Sequence, residues 1–330
     1  MTPVRLDPQG PFMRDPLAPH QMRDRLTRTQ DLFILCHLGV PRIERDRWSL
    51  TIDGMVERPR TLRFDDLVRY PKTEVATIHQ CCGSPLAPFE PRRRVCNVRW
   101  SGVRLADVLA DCRPRSAAQH IWSYGADSGE FSGVVVDPYL KDLPIARVED
   151  DVLIAYEMNG SALPAEHGFP GPPRCSGFLW NQQRQMAHAE SNAASKAGRR
   201  IHSRLVGTTT RCWMATGRET GETTPVWSIA PESLIVSPAP HESIELSVER
   251  EIWGWAWADG GVRSVHVRAG DAATWRPAEL EPPRGREWRR FRCPGRRGSA
   301  VQWCWLREPR QWVGWSSRYR GGATQSMRWR

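Results

Sequence analysis

Apolar residues in this chain recur mainly at every second position, in short runs, and this constrains the fold more than any other feature. Successive side chains of a strand point to opposite faces, so such runs form half-buried strands. They are WSLTIDG at 48–54, EVATIHQ at 74–80, HIWSYGA at 120–126, FSGVVVD at 131–137 and DVLIAYEMNG at 151–160. Helix-like pieces at Phe64–Val68 and Leu105–Leu109 lie between them, which predicts an α+β domain over 31–170. Asn159-Gly160 closes the last run and suits the two positive-φ positions of a type I′ hairpin. A second block, 225–292, alternates Trp253, Trp255 and Trp257 with Gly254 and Ala256, passes Asp259-Gly260-Gly261, and resumes with Val265 and Val267. That pattern predicts a hairpin inside a small β-sandwich.

At 330 residues the chain exceeds the size at which one core stops growing, so two domains are expected. It has no apolar run of the roughly 18 residues that a bilayer span requires, and no membrane partner is expected. The start, MTPVRLDPQGPFMRD, lacks the apolar stretch of a secretory signal, which reads as a cytoplasmic protein. Residues 1–30 read as an N-terminal extension that wraps the fold or stays loose. Nine cysteines form an odd set without paired CxxC motifs, which argues against structural zinc and a disulfide framework. A net charge of +10 ordinarily points to nucleic acid. Here, however, residues 171–218 hold eight Lys/Arg against one acid and residues 294–330 eight Arg against one, so the rest is net acidic. Both basic segments lie within stretches, 171–224 and 293–330, that show neither a helical nor a strand period. The tail also holds five of the sixteen tryptophans. The charge is therefore read as a symptom of two anomalous segments, and no nucleic-acid partner is expected.

The local signal richest in chemistry is Thr77-Ile78-His79-Gln80-Cys81-Cys82-Gly83-Ser84. A thiolate at the end of a strand beside a glycine turn is exposed enough to ligate a metal. Taken alone, such a cysteine reads first as a small buried hydrophobe. Gln80-Cys81-Cys82-Gly83-Ser84 resembles the motif that carries the molybdenum-binding cysteine of the sulfite oxidase family. By that resemblance Cys81 is the metal ligand, and Cys82, on the other face, is structural. Four further stretches resemble the family in the same order. Asp31 to Pro41, DLFILCHLGVP, is similar to the segment whose histidine, here His37, contacts the pterin. Trp100-Ser101-Gly102-Val103-Arg104-Leu105 and Tyr139-Leu140-Lys141-Asp142-Leu143-Pro144 follow, and the hydroxyl of Tyr139 would reach the oxo group on the metal. Leu153 to Gly160, then Leu163-Pro164 and His167-Gly168-Phe169-Pro170, form the longest match, and His167 joins the cofactor site. Ala230-Pro231-Glu232-Ser233 and Gly254-Trp255-Ala256-Trp257 resemble the family's immunoglobulin-like dimerisation domain.

The resemblance implies a sulfite-oxidase-type molybdopterin-binding domain followed by an immunoglobulin-like β-sandwich. It implies a molybdenum–molybdopterin cofactor and an oxidoreductase that transfers an oxo group to a small, sulfur-containing substrate. Electrons would leave to an external acceptor such as a cytochrome, and the chain would form a homodimer. Arg92, Arg93 and Arg94, just past the cysteine loop, are read either as a solvated face or as the cations that bind an anionic substrate. Individually, His37 and His167 are also readable as structural histidines, and Tyr139 as a turn cap. The rival reading of the whole is an inactive family remnant that serves as a binding scaffold.

Leu35 stands where the family has an arginine, and Ser84 where it has an asparagine, so the expected cations for an oxyanion are incomplete. After Pro170 the family continues to a glycine loop ending in Lys-Trp, whereas this chain reads GPPRCSGFLWNQQRQMAHAE. Segments 171–224 and 293–330 are therefore read as translated out of frame. Phe178 to Ala187 can be re-read one nucleotide over as FYGTNSVKW, and the tail from Cys293 two nucleotides over as PWPPGQRGAVVLASRAT. One cause then accounts for the charge, the lost periodicity and the tryptophans. Sequencing the gene checks this: codons that do not spell those strings in the shifted frames rule it out.

Overall fold

The computed structural model describes residues 5–36, 38–81, 84, 92–131, 134–136, 140–148, 152–168, 229, 231–240, 242, 251–269 and 274–294, with the backbones of 301–308 and 311–316. Strands dominate. The first half contains β1 (Arg5–Gln9), β2 (Phe12–Arg14), β3 (Ile34–Cys36), β4 (Gly39–Arg42), β5 (Ser49–Ile52) and β6 (Arg60–Arg63), then helix α1 (Phe64–Leu67). It continues with β7 (Lys72–Gln80), β8 (Val95–Arg104), helix α2 (Leu105–Cys112), β9 (His120–Tyr124), β10 (Gly129–Phe131), β11 (Val134–Val136), β12 (Leu140–Pro144), β13 (Leu153–Met158) and β14 (Ser161–Ala162). The short helices fall where the sequence predicted them. Among the described residues no helix is long and apolar enough to cross a membrane.

The centre of this half is an antiparallel sheet ordered β14-β13-β8-β7, with β7 and β8 paired in unbroken register from Lys72↔Val103 to Gln80↔Val95. Its two faces differ. One carries Phe33, Val98, Trp100, Leu153, Met158 and Leu163. The other packs on α2 at one end through Val103, Val108, Ile154 and Tyr156. A register shift between Ala155 and Glu157 lets Leu153 and Met158 share a face although they stand an odd number of positions, five, apart. At that shift Gly102 passes so close to β13 that a Cβ would stand 2.2 Å from the Ile154 carbonyl oxygen, so only glycine fits. Asn159 and Gly160 at the β13–β14 tip have φ of 51° and 81°, the type I′ geometry read from the sequence.

The second half forms two antiparallel four-stranded sheets. One is ordered β15 (Glu232–Ser237), β16 (Glu251–Trp257), β20 (Arg289–Pro294), β19 (Glu279–Leu280). The other is ordered β18 (Arg276–Pro277), β17 (Val265–Ala269), β21 (Val301–Glu308), β22 (Gln311–Ser316). Ile252, Ala256, Val265, Val267, Phe291 and Cys293 fill the space between them. The hairpin predicted from Trp253 to Val267 does not form: β16 and β17 belong to different sheets. Both edges of β16 are already paired, to β15 and β20, and both of its faces are apolar. Val265 and Val267 therefore stack across from Ile252 and Ala256 instead of extending the same sheet. The backbone at 301–308 and 311–316 is also strand, in a stretch whose sequence shows no period.

The N-terminal extension wraps. Its Met22 carbonyl accepts a hydrogen bond from Trp255 Nε1 (2.7 Å), and its Arg25 carbonyl accepts from Trp288 Nε1 (2.8 Å) and Asn97 Nδ2 (3.0 Å). Arg25 also ion-pairs with Glu281, and Asn159 Nδ2 donates to the Thr27 carbonyl (2.9 Å). Met22, Ile78, Val95, Trp255, Trp257 and Trp288 thus make one core shared by the extension, the central sheet and the sandwich.

Candidate functional site

Strand β7 is covered on both faces near its end, and its alternation sorts the side chains. Ile78 faces the core shared with the sandwich, while Val75 and Cys81 pack against the Trp100 and Leu153 cluster. Cys81 follows the last residue of β7 and is half-buried. Its N–H donates to the Arg94 carbonyl (2.9 Å), its carbonyl accepts from Ser84 N–H (2.9 Å), and Ser84 Oγ accepts from Arg94 N–H (3.1 Å). Ser84, where the family has asparagine, therefore pins the thiol-bearing turn through its hydroxyl. The five described cysteines, 36, 81, 96, 112 and 293, form no disulfide.

Around that face the ring of His79 stacks on Phe33 (centroids 4.8 Å apart, 3° between planes) and meets Trp100 edge-on at 6.0 Å. Burial, with a smaller contribution from nearby His167, pushes the His79 pKa down to about 3, so the ring stays neutral. His79 Nδ1 and Trp100 Nε1 are buried and have no hydrogen-bond partner among the described residues. His167 ends a 3-10 turn, Ala165–His167. The turn packs on β3 and β4, where Cys36 Sγ donates to the Glu166 carbonyl (3.9 Å). The segment flanking position 37 and the turn of His167 are thereby neighbours. His37, Tyr139 and Cys82 themselves lie outside the described residues, as does 171–224.

The arginine triplet does not present one surface. Arg92 is exposed and 4.0 Å from Asp15; Arg93 is buried at 7% exposure; Arg94 is intermediate and serves the turn through its backbone. The sequence reading passed over Gln80 and Glu232, although both lie within the quoted motifs. Gln80 Nε2 donates to the Ser84 carbonyl (3.0 Å) and to Glu232 Oε1 (2.7 Å), while Gln80 Oε1 accepts from Trp257 Nε1 (2.7 Å). Glu232 is 5% exposed, and burial raises its pKa from 4.5 to about 7, partly opposed by the Gln80 hydrogen bond and by the charge of Arg93. The folded protein holds this proton more tightly than the unfolded chain. Its contribution is therefore fully present below pH 4.5 and is lost as pH rises through 7. Glu232→Gln is expected to be more stable than the parent by about 3 kcal/mol at pH 9 and equal to it at pH 4. Urea midpoints at the two pH values check this; titration of His79 is common to both proteins and cancels in the difference.

Among the described residues no three His, Cys, Asp or Glu side chains are grouped to hold a metal ion. Residues 37–172 match the family described as the oxidoreductase molybdopterin binding domain. Rat mitochondrial sulfite oxidase is 30% identical over 302 residues, covering 84% of this chain and 53% of that protein. Chicken sulfite oxidase is 27% identical over 312 residues, covering 86% and 66%. The chain thus spans between half and two thirds of the length of these relatives. The structure of the sulfane dehydrogenase SoxCD from Paracoccus pantotrophus superposes with a TM-score of 0.63 at 21% identity, covering 84% of this chain and 71% of that one, which establishes a shared fold. Sequence motifs, strand-rich fold and matches agree: residues 37–172 carry the oxidoreductase molybdopterin binding domain, and the chain is similar to sulfite oxidases over most of its length.

Proposed function

We propose that this chain is a molybdenum-cofactor-dependent oxidoreductase of the sulfite oxidase type, acting by oxo transfer on a small, sulfur-containing substrate. The observation that carries the reading is the place of Cys81: a half-buried thiol at the end of β7, on the face lined by Phe33, His79 and Trp100. A thiolate is a suitable soft ligand for such a metal. His79 Nδ1 and Trp100 Nε1, buried ring nitrogens without hydrogen-bond partners among the described residues, suit a face that receives a polar group rather than an apolar core. On this fit Cys81 is assigned as the protein's metal donor, and His37 and His167 as cofactor contacts. Tyr139 is assigned to the reacting side, and Arg92 and Arg94 to the substrate; Arg93 is buried, with its charge acting on Glu232, and drops out of that set. The bound cofactor would supply the two-electron oxygen chemistry; the protein supplies ligation, orientation and charge. An external acceptor such as a cytochrome and a homodimer formed through an immunoglobulin-like sandwich belong to the same proposal, as do domain limits of 31–170 and 225–292.

Leu35 in the arginine position, and segment 171–224 without its Lys-Trp, favour a second reading, an inactive remnant that serves as a scaffold. Metal analysis separates the two. Protein purified from a molybdate-fed host is expected to carry about one molybdenum per chain. None bound would leave the scaffold.

A further inference from the structure

We propose that the sandwich positions the Cys81 turn through Gln80, with Glu232 and Trp257 as the clamp. Glu232 and Trp257 face each other across the β15–β16 ladder, so the pair is fixed by backbone pairing within the sandwich, independently of Gln80. Gln80 ends β7 with its side chain on the sandwich side, opposite to that of Cys81. Its amide uses both ends: the oxygen is held by Trp257, and the nitrogen is shared by Glu232 and Ser84. The donor from Trp257 and the acceptor on Glu232 permit only one orientation of the amide. That orientation delivers an N–H to the Ser84 carbonyl, whose own N–H is bonded to the Cys81 carbonyl. A displacement of the sandwich is thus passed by hydrogen bonds to the peptide that carries the thiol. Gln80, Glu232 and Trp257 act through the turn and touch no reacting atom, so they are positioning residues. A buried carboxyl is a costly way to fill a domain interface, and its use here is to fix that amide.

The functional meaning of this clamp rests on Cys81 being the metal ligand, but the clamp itself is measurable without metal. The test is the alkylation rate of Cys81 by iodoacetamide in the folded full-length chain, followed by peptide mass mapping. Cys96, 1% exposed and paired with His79 on the neighbouring strand, is the internal control for opening of the sheet. Trp257→Phe, which removes one N–H, is expected to speed Cys81 by about fivefold, and Gln80→Met, which removes all three bonds, by about twentyfold or more. Cys96 should stay at the parental rate in both. Should Gln80→Met fail to fold, Trp257→Phe decides. Cys81 rates that stay within about twofold of the parent, or that rise only together with Cys96, overturn the proposal. Molybdenum content of the same preparations is read separately: an accelerated Cys81 in a chain that binds no molybdenum upholds the clamp and removes the proposed function.

Discussion

Serine in place of Cys81 lowers turnover of a sulfur substrate by about 100-fold or more, while the unfolding midpoint stays within a few degrees of the parent. Partners that merely hold a metal's ligands already cost 10- to 100-fold when removed, so loss of the proposed donor atom belongs at or beyond that limit. A hydroxyl is a hard ligand that stays protonated near neutral pH, whereas a thiol can ionise and bind. The fold should tolerate the change because the side chain is half-buried, the two residues are nearly isosteric, and the turn is pinned by backbone and Ser84 contacts. Steady-state kinetics and metal content, measured with thermal unfolding on the same sample, check the expectation. Full activity in the serine variant would remove Cys81 from the machinery.

Trp288→Ala should destabilise the protein by about 3–5 kcal/mol, the loss expected when a fully buried large aromatic is truncated. The side chain is fully buried and stacks on Trp255 with centroids 5.0 Å apart and 12° between planes. It lies 6.3 Å from Trp257, and its Nε1 donates to the Arg25 carbonyl. Truncation leaves a large cavity at the junction of extension, sheet and sandwich, and strips a buried carbonyl of one of its donors. A domain's whole stability is about 5–15 kcal/mol, so the loss is a large share of it. Chemical denaturation gives the difference; Trp288→Phe should recover part of it by restoring stacked area. A shift below about 1 kcal/mol would mean that the junction does not carry the two halves.

Much of this was legible along the chain. The runs at 74–80 and 151–160 became β7 and β13, Asn159-Gly160 became a type I′ tip, and Leu105–Leu109 grew into α2. These are local properties: alternation, turn chemistry and helical spacing act over a few residues, and sequence records them directly. The tryptophans at 253, 255 and 257 were equally visible, but their pattern was misread as half of a hairpin. A strand with two apolar faces must be covered twice, and which segment covers each face depends on edges that distant strands have already taken.

The candidate site divides in the same way. Sequence alone carried the resemblance to the sulfite oxidases, the cysteine at the end of its strand, and the ordered motifs around it, because each is a contiguous string. Only the tertiary structure joined Gln80 to Glu232 across 152 positions and placed the Arg25 carbonyl on the indole of Trp288 across 263. It also separated the three neighbouring arginines, sending Arg93 into the interior and leaving Arg92 in water. The reason is physical: a buried polar group must find its partner wherever the packing brings one, and no local pattern encodes that meeting.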